Sequence, residues 1–133
     1  MTRLIKFAEG EYYHIYSRGV DKRSIFLCNQ DKDRFVKLLY LCNSEKALDI
    51  RDLSKEAVLS SDRGERLVDI GAYCLMTNHF HLLLYEKAEG GISAFMLRLL
   101  TSYSMYFNKR YERTGRLFES SFKAKHLEVD EVM

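Results

Sequence analysis

An α+β fold, an antiparallel sheet covered on one face by two helices, is what this sequence predicts. Three observations carry the prediction. Four stretches, near residues 11–18, 67–76, 79–85 and 121–128, read as strands from their aromatic and aliphatic content, with period-two alternation clearest at 79–85. Between them lie two stretches with the i, i+3, i+4, i+7 spacing of an amphipathic helix, over 31–42 and 93–111. The resulting order, strand–helix–strand–strand–helix–strand, is the split βαβ pattern of a ferredoxin-like sandwich.

The first strand is Glu11 to Arg18, aromatic and β-prone, and Gly19 stops it. Val20 to Asn29 reads as irregular chain in which Ile25 and Phe26 plug the core. Asp31 is placed to cap a helix whose buried stripe is Phe35, Leu38, Leu39 and Cys42. Residues 44–66 are highly charged, with a weak helical hint around Leu53 to Leu59, and read as a surface insertion. Leu67 to Met76 is the second strand. The pair Thr77-Asn78 is short enough for a tight hairpin into a third strand at 79–85, with Asn suited to a left-handed position there. Ser93 is placed to cap the second helix, with Met96, Leu99, Leu100, Tyr103, Tyr106 and Phe107 as its apolar stripe and Thr114-Gly115 beyond its end. A fourth strand, about 121–128, completes the sheet.

The 133 residues suffice for one domain with its own core, and 47% hydrophobic with 30% charged content is ordinary for a soluble globular chain. No apolar run approaches the roughly 20 residues that span a bilayer, and the N-terminus lacks a signal-peptide pattern. Cys28, Cys42 and Cys74 stand far apart with no CxxC pair, which argues for free thiols in a reducing compartment and against a cysteine zinc site. These features predict a cytoplasmic protein with no membrane partner. A net charge of +2 identifies no partner by itself, but its distribution is uneven. From Thr101 to Leu127 six basic residues face two acidic ones, whereas 44–69 holds seven acidic and five basic side chains.

Chemistry concentrates at His79-Phe80-His81. On a strand, Phe80, Leu82 and Leu84 point one way as a core row, and His79 and His81 point the other way together. They would lie roughly 7 Å apart, within reach of one metal ion. On a helix they would sit about 200° apart and could not share a ligand. Spacing alone leaves two readings, a metal pair or two histidines packed on the open face of the sheet.

Three segments together resemble one family. Tyr13-His-Ile-Tyr-Ser-Arg-Gly19, Ala72-Tyr-Cys-Leu-Met-Thr-Asn-His-Phe-His-Leu-Leu-Leu84, and Tyr103-Ser-Met-Tyr-Phe-Asn-Lys-Arg-Tyr111 followed by Gly115-Arg-Leu-Phe118 are similar to the IS200-type single-tyrosine (HUH-type) transposases. These include the relatives associated with repetitive extragenic palindromes. The similarity runs from about Tyr12 to His126.

The resemblance implies a DNA transposase that cuts and rejoins single-stranded or hairpin DNA with a divalent ion, Mg²⁺ or Mn²⁺. His79 and His81 match its metal-ligand positions. A tyrosine hydroxyl attacks phosphorus to give a 5′-phosphotyrosine and a free 3′-OH. Two imidazoles suit Mn²⁺ or Zn²⁺ better than Mg²⁺, so the ion stays open. In the family that tyrosine lies on a further helix after the fourth strand, with an amide ligand four residues later. No such stretch precedes Met133, so the expectation for residues 1–133 is one transposase-like domain without its catalytic helix.

Tyr103 is a weak substitute, because Asn108 follows at five rather than four and the residue lies in the apolar stripe. Arg18, Lys109, Arg110, Arg113, Arg116, Lys123 and Lys125 are the candidate phosphate contacts, or solvated surface charges. His14 is either packed or a supporting contact of the pair. The family contains dimers and monomers, and the sequence leaves both open. Three functional classes follow: a transposase that nicks and rejoins DNA, a non-catalytic hairpin-binding domain of the same fold, and a metal- or metabolite-binding module unrelated to DNA.

Overall fold

In a computed structural model, residues 6–46, 58 and 63–128 are described. Most of the charged stretch 44–66 and residues 129–133 lie outside them, and with these the expected surface insertion, its helical hint and the question of a further helix. The elements are β1 (Tyr12–Arg18), α1 (Asn29–Leu41), β2 (Val68–Met76), β3 (His79–Glu86), α2 (Gly91–Arg110) and β4 (Lys123–Leu127). The strands form one sheet in the order β2-β3-β1-β4 with every pairing antiparallel, as a ferredoxin-like sandwich requires.

Alternation sorts β1 and β3 cleanly. Tyr13, Ile15 and Ser17 of β1 and Phe80, Leu82 and Leu84 of β3 are buried beneath the helices, while their neighbours in sequence face the open side. Phe35 and Leu38 of α1 and Phe95, Met96, Leu99, Tyr103 and Phe107 of α2 fill the space above them. Phe35 meets Phe80 with ring centroids 5.1 Å apart. Each such side chain removed from water contributes roughly 1.5–3 kcal/mol before conformational entropy is subtracted. Ile25 and Phe26 are buried as the sequence predicts.

Three local expectations change. The α2 helix begins at Gly91 rather than at a Ser93 cap. Its first amides are taken by the buried Glu86 carboxylate, at 3.1 Å to Gly90 N and 2.7 Å to Ile92 N. A buried carboxylate at a helix N-terminus meets both the free N–H groups and the positive end of the helix dipole, so it replaces the hydroxyl cap. Likewise α1 starts at Asn29 after Cys28, and Asp31 sits inside its first turn rather than before it.

The third concerns Asn78. The hairpin at 77–78 forms, but among the described residues only Asp21, Lys22 and Glu112 are non-glycines with positive φ. Asn78 needs no left-handed backbone because other chain holds the turn. Thr77 O accepts from Ile25 N at 2.9 Å, and Asn78 O accepts from Gly19 N at 2.9 Å. Gly19 is required for that approach: a Cβ there would lie 2.3 Å from the Arg23 carbonyl oxygen. The same crossing draws in the segment before β4, where Val20 N reaches Leu117 O at 2.8 Å and Glu119 N reaches Arg18 O at 3.0 Å. The tip of the β2–β3 hairpin, the end of β1 and residues 117–120 are thereby fastened together.

Candidate metal and nucleic-acid site

On the open face, register sets side chains in rows across the strands. Tyr16 of β1 lies between His81 of β3 and Lys123 of β4, His14 lies between Leu83 and Lys125, and Arg18 is opposite His79. His79 and His81 are both half-buried, with ring centroids 5.0 Å apart and planes at 89°. The period-two argument therefore holds, and the two imidazoles share the uncovered face.

Each imidazole has one nitrogen engaged. His79 Nδ1 is 2.7 Å from Asn78 Oδ1. The Asn78 amide is turned that way because its Nδ2 faces the Lys22 carbonyl at 3.4 Å. A carbonyl oxygen only accepts, so His79 donates from Nδ1 at this contact and Nε2 is the nitrogen left on the open side. His81 Nδ1 is 2.8 Å from His14 Nε2, with the two rings stacked at 5.0 Å and 24°. His14 is thus a supporting contact of the pair. Burial, then the neighbouring imidazoles of His14 and His79, hold His81 below the usual histidine range. Burial and then Lys125 do the same for His14. Both are neutral at pH 7, the form in which an imidazole binds a metal.

Two adjoining clefts open near the tip of the hairpin, and His79, but not His81, lines the first of them. One, of about 410 Å³, is lined by Tyr16, Arg18, Asn78, His79, Glu119 and Lys123, among others. The second, of about 610 Å³, shares Arg18, Glu119 and Lys123 and adds Lys22 and Arg116. Glu119 sits among these cations: its carboxylate accepts from Arg18 Nε at 2.8 Å and lies 3.7 Å from Lys123 Nζ. The Arg18 hydrogen bond, ahead of the burial that opposes it, holds Glu119 below the usual carboxylate range. Ser120 lines both clefts, while its Oγ is buried without a hydrogen-bond partner among the described residues.

Of the seven basic candidates, the fold brings Arg18, Arg116 and Lys123 to these clefts and sets Lys125 on the same open face. Lys109, Arg110 and Arg113 are elsewhere, at the end of α2 and just beyond it, and line neither cleft. Arg113 folds its own turn, donating to Asn108 Oδ1 at 2.6 Å and Arg116 O at 3.2 Å. Arg110 lies 3.6 Å from the buried Asp31 carboxylate and donates to Tyr111 Oη at 3.1 Å. Sequence reasoning did not single out Lys22, Glu119, Ser120 or the bond of Asn78 to His79, for which the Asn preceding His79, with its short polar side chain, is the one local signal.

Tyr103 is fully buried, its hydroxyl donates to Ile25 O, and burial together with the Asp31 charge pushes its pKa far upward. It packs the core. Among the described residues no group of three or more His, Cys, Asp or Glu is arranged to hold a metal. The His79 and His81 pair offers two imidazoles, a donor set that fits a divalent ion needing further ligands from elsewhere, such as phosphate oxygen and water.

The family model described as "Transposase IS200 like" matches residues 10–132. The chain is similar in fold to a REP-associated tyrosine transposase whose structure was determined bound to a REP hairpin, with a TM-score of 0.57 at 10% identity. That likeness covers 96% of this chain and 63% of the neighbour, so the chain spans less than two thirds of that protein. A protein from Deinococcus radiodurans R1 described as a candidate transposase matches with a TM-score of 0.56 at 14% identity, over 99% of this chain and 90% of its own. At these identities the likeness is one of fold. Among curated proteins none matches this chain. No helix among the described residues is long and apolar enough to cross a membrane.

Proposed function

The chain belongs to the IS200-like transposase family, and from that premise we propose that it is a DNA transposase domain acting on single-stranded hairpin ends. The observation that carries this reading is the placement of His79 and His81 on one open face, each with Nδ1 engaged, with His79 lining a cleft that also holds Arg18 and Lys123 and adjoins a second one reaching Arg116. His79 and His81 would hold a divalent ion, Mg²⁺ or Mn²⁺. When bound, such an ion polarises a phosphodiester and stabilises charge on the leaving 3′ oxygen.

The chain's own residues bind and orient the strand. Arg18, Arg116 and Lys123 offer cations to successive phosphates. Tyr16, beside His81 on the open face, offers a ring on which an unpaired base can stack. In the reaction implied by the family, a tyrosine oxygen forms a bond to phosphorus as the P–O3′ bond breaks. The tyrosine proton passes to solvent and the 3′ oxygen leaves as 3′-OH. The free thiols of Cys28, Cys42 and Cys74 suit the cytoplasm as its setting.

A second reading, a non-catalytic hairpin-binding domain, is favoured by the state of three tyrosines. Tyr103 is sealed in the core, and Tyr106 and Tyr111 both donate to Asp31 at 2.6 Å. A labelled DNA hairpin incubated with the protein and Mn²⁺ separates the two. The transposase reading predicts an SDS-resistant covalent adduct, and the binding reading predicts a salt-sensitive gel shift without one. No shift even at low salt contradicts both, since phosphate contacts are strongest there.

A further inference from the structure

We infer that His14 is a positioning residue for the metal pair: it accepts the Nδ1–H of His81 and so fixes His81 with its lone pair on Nε2. This rests on the reading of His79 and His81 as metal ligands. The argument is one of hydrogen-bond accounting. An imidazole that binds a metal through one nitrogen must carry its proton on the other, and an acceptor for that proton sets the tautomer and the ring orientation. His79 has such an acceptor in its sequence neighbour, Asn78 Oδ1 at 2.7 Å. His81 has none next to it in sequence. The atom that meets its Nδ1 comes from β1, His14 Nε2 at 2.8 Å.

The sheet makes this contact by register. His14 pairs with Leu83 and Tyr16 pairs with His81, so His14 reaches His81 on the diagonal, across one strand boundary and two residues along. The approach is more than a single bond. The His14 ring stacks on His81 at 5.0 Å and on Tyr16 at 4.9 Å, so neither imidazole is free to rotate away. A contact of 2.8 Å between two ring nitrogens requires that one of them donate. Only donation from His81 to His14 leaves Nε2 of His81 open, matching the arrangement that Asn78 enforces on His79. The pair would then present two Nε2 atoms, one set by an amide and one by an imidazole.

The test reads the tautomer directly. Long-range ¹H–¹⁵N correlation spectra of metal-free protein labelled at histidine, taken at pH 8, distinguish a protonated Nδ1 from a protonated Nε2. His14→Phe keeps a ring for stacking and removes the acceptor, whereas His14→Gln places an amide oxygen where it can accept. Mn²⁺ dissociation constants for the three proteins, measured by the loss of the free-ion EPR signal, accompany the spectra, and thermal melts establish that each variant is folded. The wild type is expected to show His81 protonated on Nδ1. His14→Phe is expected to show mixed tautomers and to bind Mn²⁺ about 10- to 100-fold more weakly. His14→Gln is expected to return the tautomer and most of the affinity.

A wild-type His81 protonated on Nε2 overturns the inference. So does a His14→Phe protein with unchanged tautomer and affinity, or a His14→Gln protein as impaired as His14→Phe. A wild type that binds no Mn²⁺ overturns the ligand reading instead, while the metal-free spectrum still decides the role of His14.

Discussion

Two polar clusters in this molecule are built from similar materials and end in opposite states. At the junction of α1 and α2, the Asp31 carboxylate is 0% exposed and every direction around it is used. It accepts from Leu27 N at 2.9 Å and from the Tyr106 and Tyr111 hydroxyls at 2.6 Å each, with Arg110 at 3.6 Å. On the open face of the sheet, His79 and His81 have each engaged one ring nitrogen and keep the other. The first cluster is a joint that fastens two helices. The second is the proposed site. What separates them is not charge or burial alone but whether lone pairs remain unused after the fold is made.

If that distinction is right, the two clusters fail independently. The largest expected effect is from Asp31→Ala, which leaves two hydroxyls and one amide without their acceptor and should cost about 3 kcal/mol of stability. For a domain of this size the melting temperature falls by on the order of 10 °C, while Mn²⁺ affinity measured below the transition stays within about two-fold of wild type. Burial pushes the Asp31 carboxyl up, but the bonds from Tyr106, Tyr111 and Leu27 N and the Arg110 charge outweigh it, leaving a pKa below the ordinary 3.8. The stabilisation is therefore complete above 3.8 and is lost as pH falls through the lower folded value. Denaturant melts of wild type and Asp31→Ala should keep a constant gap from pH 7 down to about 5 and converge in acid. A loss of Mn²⁺ binding in folded Asp31→Ala protein would erase the contrast between joint and site.

A smaller effect sharpens it from the other side. Glu119 occupies cations of the open cleft, holding Arg18 at 2.8 Å. Because this pair is partly solvent-exposed, Glu119→Gln should change stability by about 1 kcal/mol or less. Removing the anion should tighten hairpin binding several-fold and steepen the dependence of log affinity on log salt by somewhat less than one unit. Fluorescence anisotropy over a salt series measures both. An unchanged slope would mean that Arg18 and Lys123 do not face phosphate.

Much of the frame was legible in the sequence because it follows from periodicity. Phe80, Leu82 and Leu84 form the buried row and His79 and His81 the open one, as alternation demands. The stripe from Met96 to Phe107 marks the buried face of α2, although Tyr106 lies at its edge and serves Asp31. What was not legible depends on partners far apart in the chain. The cap of α2 belongs to Glu86 rather than Ser93, and Asp31 gathers groups from residues 27 to 111. Counting charges between 101 and 127 found a basic segment, but the fold divides it. Arg116 and Lys123 reach the clefts, while Arg110 and Arg113 are drawn into local bonds. His14 and His81 stand 67 residues apart, and only strand register brings them to 2.8 Å.

The central claim is that His79 and His81 together are a metal site, and Mn²⁺ EPR addresses it most directly. Titration of the wild type should reveal one bound ion whose electron spin-echo modulation carries coupling to two imidazole nitrogens. His79→Ala and His81→Ala should each lose that coupling and weaken binding sharply, and the double substitution should abolish the site. Mn²⁺ bound with wild-type affinity by the folded double variant, or a wild-type spectrum without imidazole nitrogen coupling, would contradict the account.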